Sequence, residues 1–127
     1  MRPAGPVRRA AAVLAVVALA LLVLGGCTSS GGSGANAAPV ATTSVDLPKS
    51  YRFAPASITV QTGSTVTWTN DDNFTHSVAF LDGGLPGQPL VMEPGQSVTF
   101  TFDHAGTFHY QCHFHPQNMH GSVTVTG

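Results

Sequence analysis

Two patterns of apolar and polar positions divide this sequence. Ala10–Leu24 is an unbroken apolar run of 15 residues, whereas from Val45 onward apolar positions recur every second residue, the period of a strand with one buried face. Ile58 and Val60 alternate with Ser57 and Thr59, and Val66 and Trp68 with Thr65, Thr67 and Thr69. His76, Val78 and Phe80 share a face, as do Val98, Phe100 and Phe102, then Phe108, Tyr110 and Cys112, then Val123 and Val125. Turn residues separate these runs at Gln61-Thr62-Gly63, Pro94-Gly95 and Ala105-Gly106. No stretch has the spacing of an amphipathic helix, so the pattern predicts an all-β fold, a two-sheet antiparallel sandwich or barrel. Leu81–Glu93 fits neither period and is read as a long connection between the sheets, with Met92 as core filler rather than a ligand. Trp68, inward beside Val66, is read as core.

The apolar run belongs to a separate object. It follows Arg2, Arg8 and Arg9 and leads into Gly25, Gly26 and Cys27. A basic start, a short apolar middle and small residues at the end make a secretory signal peptide. The run is short of the roughly 20 residues a bilayer takes, so cleavage is expected over a retained span. Leu24-Gly25-Gly26-Cys27 also resembles the bacterial lipobox, which implies lipidation at Cys27 and anchoring of the exported chain on the outer face of the cytoplasmic membrane. A plain signal peptide with an incidental Cys27 is the alternative. The expected organisation is a signal peptide with lipobox over 1–26, a lipidated Cys27 and flexible Ser, Gly and Ala tether over 27–44, and one folded domain over 45–127.

Charge and cysteine count then change the picture. The whole chain has a formal net charge of -1, but the part after Cys27 keeps two basic residues, Lys49 and Arg52, against six acidic ones, a formal -4. With no basic face, nucleic acid is excluded as partner. The acidic pair Asp71-Asp72 is read as a solvated loop. Two cysteines in an exported chain ordinarily suggest a disulfide. A lipidated Cys27 cannot pair, so Cys112 is left as a lone thiol, and a metal would supply its reason. A domain of some 83 residues buries only about 60–65% of its unfolded surface, so a bound metal would also add stability.

Chemistry concentrates in Cys112-His113-Phe114-His115-Pro116-Gln117-Asn118-Met119-His120-Gly121. The alternation places His76 and Cys112 inward, near the ends of their strands. A thiolate with two imidazoles and a thioether suits copper, because soft sulfur favours Cu(I) while imidazole tolerates both oxidation states. Zinc would accept the histidines and the cysteine but gain nothing from methionine.

With Phe53-Ala54-Pro55, Ile58-Thr59-Val60, Gly63, Val66-Thr67-Trp68-Thr69-Asn70, His76-Ser77-Val78, Gly106-Thr107-Phe108-His109-Tyr110-Gln111-Cys112 and Met119-His120-Gly121-Ser122-Val123-Thr124-Val125, the chain resembles the cupredoxin family, in particular small blue copper proteins of the plastocyanin and amicyanin type. The resemblance covers nearly all of Val45–Gly127. It implies a Greek-key sandwich of seven or eight strands holding one type 1 copper, with His76, Cys112 and His115 as trigonal ligands and Met119 as the weak axial one. Two departures stand out. The Cys-x2-His-x3-Met spacing lies between the shorter amicyanin-like and longer plastocyanin-like ligand loops. Ser77 replaces the asparagine usual after the first histidine, which is expected to loosen the brace between the two ligand loops.

His104 and His109 are read as surface residues. His113 could displace His115, and His120 could displace Met119, but the Met-x-Gly-x-Val frame favours the first set. The resemblance further implies single-electron transfer between redox protein partners, by a monomer, with the electron leaving through His115 and an apolar patch of Phe114, Pro116 and Met119. Gln111 stands where plastocyanins carry a second-route tyrosine, so one exit is expected. A copper-binding module for storage, delivery or sensing is the alternative, since the surplus histidines could dock a second ion. An enzyme is not expected: Cys112-His113 resembles multicopper oxidases only faintly, the other cluster ligands are missing, and no nucleophile elbow is present.

Overall fold

The computed structural model describes residues 37–83 and 85–127. The expected signal peptide, Cys27 and the tether up to residue 36 lie outside the described residues. Among the described residues there are nine strands: β1 Val40–Ala41, β2 Ser44–Leu47, β3 Ser57–Gln61, β4 Thr65–Asn70, β5 His76–Phe80, β6 Leu90–Met92, β7 Ser97–Thr101, β8 Gly106–Gln111 and β9 His120–Thr126. They form a six-stranded sheet ordered β1-β3-β9-β8-β5-β6 and a three-stranded sheet ordered β2-β4-β7. The all-β expectation is met. Strand alternation does the sorting: Ile58, Val60, Val78, Tyr110, Val123 and Val125 from one sheet meet Val45, Leu47, Val66 and Trp68 from the other in a single buried cluster.

Three expectations are corrected. Strand pairing is mixed rather than antiparallel, with β1 on β3, β3 on β9 and β2 on β4 all parallel. Successive strands from β2 to β5 alternate between the two sheets, so the parallel pairs join strands that do not follow one another in the chain. Folded structure begins before Val45, because Val40 and Ala41 pair with Ile58 and Thr59. The segment Leu81–Glu93 is not wholly a loop: its end forms β6, pairing His76 with Met92. Met92 is fully buried, as core filler should be.

Two glycines are fixed by the fold. Gly63 turns the chain between β3 and β4 at φ 86°, a left-handed conformation that costs a residue with a Cβ more than it costs glycine. Gly121 lies under the ring of Tyr110, where an added Cβ would overlap Cζ. The Met-x-Gly spacing therefore serves packing: Tyr110, directly opposite Gly121 across β8 and β9, occupies the space a side chain would need.

Candidate metal centre

His76 opens β5 and Cys112 follows directly on β8, so the two come together at one end of the sheet and both are fully buried. His115 reaches the same point from the loop between β8 and β9. That loop is closed on itself: Cys112 N–H donates to the Met119 carbonyl at 3.1 Å, His115 N–H to the Cys112 carbonyl at 3.3 Å, and Met119 N–H to the His115 carbonyl at 3.1 Å. Nδ1 of His76 lies 3.7 Å from Cys112 Sγ and Nδ1 of His115 lies 3.6 Å from it. Among the described residues, His76, Cys112 and His115 are the only three such side chains whose ligand atoms all lie within 4.8 Å of one another. Met119 is fully buried in the same cluster as Cys112.

The donor set suits a small transition-metal ion. Bonds of about 2.0 Å to nitrogen and about 2.3 Å to sulfur in a trigonal arrangement would separate nitrogen from sulfur by roughly 3.7 Å, which is the spacing present. His113 and His120 are exposed and lie outside the cluster of His76, Cys112 and His115. Cys112 is a free, buried cysteine.

The surroundings hold His76 in one orientation. Asp72 Oδ2 lies 3.0 Å from His76 Nε2, both side chains being inside the fold. Burial pushes the Asp72 carboxyl up, but hydrogen bonds from His76 and the Asn73 amide, with the nearby charges of His76 and Lys49, outweigh it and hold the group below its ordinary value. An ionised carboxylate only accepts, so Nε2 carries a ring proton and Nδ1 is the nitrogen turned toward Cys112. Asp72 is placed by Asn70, whose Oδ1 accepts the Asp72 N–H at 3.0 Å while its Nδ2 donates to the carbonyls of Phe74 and Met92. Asp72 is thus no solvated loop residue: the expectation holds for exposed Asp71 but fails for Asp72, which is only 5% exposed. His115 sits below its ordinary value because of burial and its neighbour His76, against the opposing pull of Asp72. A neutral imidazole is the metal-ready form.

Ser77 does not loosen the two ligand loops. Its Oγ accepts the His113 N–H at 2.8 Å and stands 4.0 Å from Cys112 Sγ. A buried hydroxyl therefore ties the start of the second loop to β5.

The surface over His115 differs from expectation in composition. Phe114 is 48% exposed and Pro116 is exposed, but Met119 is buried and belongs to no surface patch. Two aromatic residues join instead. Tyr51 lies against His115 with ring centroids 4.7 Å apart and stacks on Phe74 at 5.5 Å, and Phe74 is 53% exposed. Ser50 and Tyr51 both have positive φ, 111° and 52°, in a loop closed by paired hydrogen bonds between Asp46 and Ala54. Nothing in the local sequence signals that this loop folds over the site.

A two-sheet β fold with a cysteine between two histidines at one end defines a class of small metalloproteins, and comparison with known proteins specifies it. Residues 40–126 match the family model described as copper binding proteins, plastocyanin/azurin family. Plastocyanin from Scenedesmus fuscus is 35% identical over 83 residues, covering 58% of this chain and 85% of that protein. Amicyanin from Paracoccus denitrificans is 37% identical over 84 residues, covering 64% and 63%. Among solved structures, the reduced state of an amicyanin mutant aligns with a TM-score of 0.59 at 37% identity, over 65% of this chain and 80% of that one. A purple cupredoxin from Nitrosopumilus maritimus aligns at 0.55 and 27% identity, over 65% and 98%. The chain belongs to the cupredoxin family of copper-binding, electron-transfer proteins, whose members bind one type 1 copper. Its plastocyanin and amicyanin relatives are electron carriers and not enzymes.

Proposed function

We propose that this protein carries single electrons between redox protein partners on the outer face of the cytoplasmic membrane, tethered by lipid at Cys27. His76, Cys112 and His115 would hold the copper, with Met119 as the fourth and weakest ligand. When bound, copper supplies a one-electron Cu(I)/Cu(II) couple suited to outer-sphere transfer.

The observation that carries this reading is the position of His115. Its Nδ1 lies 3.6 Å from Cys112 Sγ, while its partly exposed ring shares a shallow surface depression with Phe114, Pro116, Gln117 and Asn118. One residue thus touches both the buried donor set and the solvent. Asp72 fixes the His76 ring, Ser77 fixes the second loop, and the closed turn from Cys112 to Met119 fixes the rest. Donors held in this way have little room to rearrange. Tyr51, Phe74 and Phe114 surround the exit with apolar surface, which a partner can cover while excluding water.

The test has two arms. Phe114→Asp should slow electron exchange with a redox partner at least tenfold while leaving the absorption spectrum of the copper-loaded protein in place. Unchanged rates would remove the His115 exit. Cys27→Ser should release the protein from the membrane fraction, and retention there would remove the lipid anchor.

A further inference from the structure

We propose that His109 and His120 form a second metal site, on the outer face of the six-stranded sheet, for a divalent transition ion such as zinc or Cu(II). In the pairing of β8 with β9, His109 stands opposite Ser122 and Gln111 opposite His120. Residues directly opposite one another project to the same side, and Tyr110, between them, points into the core. His109 and His120 therefore share the solvent face as diagonal neighbours, an arrangement in which Cα atoms lie about 7–8 Å apart and long side chains can meet. Both are exposed, and they line one depression with Ala56, Ser57, Gly121 and Ser122. Small residues form its floor, where Ser122 Oγ donates to Ser57 Oγ at 3.1 Å. No lysine or arginine lines it.

A second observation points to an ion. Asp82 Oδ2 accepts the His109 backbone N–H and lies 3.4 Å from His109 Nδ1. With the carboxylate against Nδ1, Nε2 is the ring nitrogen left for an ion, and a carboxylate beside the far nitrogen accompanies metal-binding histidines. Imidazole suits zinc and Cu(II). With two imidazoles from the protein, the ion keeps positions open to water.

The site lies beside the first one along the chain. His120 follows Met119, and its strand partner Gln111 precedes Cys112. A bound dication therefore places positive charge next to the proposed copper centre and favours its reduced form; this consequence, unlike the site itself, rests on the function proposed above.

Zinc titration followed by calorimetry and by ring-nitrogen NMR tests the site in two forms of the full mature protein: copper-loaded, and Cys112→Ser, in which the inner donor set is disabled. Each should take up one equivalent of zinc with the His109 and His120 ring signals moving together. His109→Ala and His120→Ala should each weaken that binding at least tenfold, and Asp82→Asn by less. Zinc binding untouched by either histidine substitution, or ring signals that stay still, would overturn the site. In the copper-loaded protein the reduction potential should rise on adding zinc, and not in His120→Ala. Zinc uptake without any rise would overturn the coupling alone.

Discussion

Asp72 and His76 are joined inside the fold by a 3.0 Å contact between carboxylate and Nε2. It sets which nitrogen of His76 faces Cys112. The contact depends in turn on Asn70, which bonds to Asp72, Phe74 and Met92 and holds the end of β4 against β6.

Removing that carboxylate should weaken metal binding without unfolding the domain. Asp72→Ala is expected to lower copper affinity about 10–100-fold, measured by competition with a chelator. Asp72→Asn keeps an acceptor but loses the charge, so its reduction potential should rise, because the negative charge favours the oxidised ion. Affinity unchanged in Asp72→Ala would show that the ring is held by packing alone.

Ser77→Ala should cost about 1–3 kcal/mol of stability, since it leaves the His113 N–H without its partner in a partly buried place. The same change removes the hydroxyl 4.0 Å from Cys112 Sγ. Its absorption spectrum with copper should therefore shift, whereas a purely structural role would lower the melting temperature and leave the spectrum alone.

Gly121→Ala should be destabilising by about 1–3 kcal/mol, because the added carbon forces a buried ring to move. The ring belongs to Tyr110, which is fully buried and packed edge-on to Trp68 and Phe53. Denaturant unfolding of the variant checks this. Stability equal to the parent would mean that Tyr110 has room to yield.

Burial pushes the Tyr110 phenol up to about 12 from an ordinary 10.0, the neighbouring Trp68 indole drawing it back only in part. A raised value means that the folded state keeps its proton after the unfolded chain has lost it. The resulting stability is complete below pH 10 and falls as pH rises from about 10 to about 12, by about 3 kcal/mol. Unfolding followed by denaturant across that range should show the fall, and Tyr110→Phe should flatten it. A slope unchanged in Tyr110→Phe would place the titration elsewhere.

The core and the principal donors were legible because strand parity is a local signal. Trp68, His76, Tyr110 and Cys112 all face inward as their alternation requires, and the turns at Gly63, Gly95 and Gly106 each have positive φ. Period two says nothing about strand direction, so the parallel pairing of β3 with β9 was hidden. Strands as short as Val40–Ala41 and Leu90–Met92 carry too few alternations to register. Asp72 was misread because its sequence neighbours are polar, while its burial comes from His76 and Asn70 closing around it. Tyr51 reaches His115 only through the conformation of Ser50 and Tyr51, and Ser77 differs from the usual asparagine in size but not in its ability to accept a hydrogen bond.

The most direct test of the central claim is the absorption and paramagnetic-resonance spectrum of the copper-loaded protein beside those of Cys112→Ser and Met119→Leu. The parent should show an intense blue thiolate-to-copper band, lost in Cys112→Ser and kept in Met119→Leu with a shifted reduction potential. A blue band surviving in Cys112→Ser, or a parent that binds only colourless Cu(I) and yields it to a chelator, would contradict the electron-carrier account.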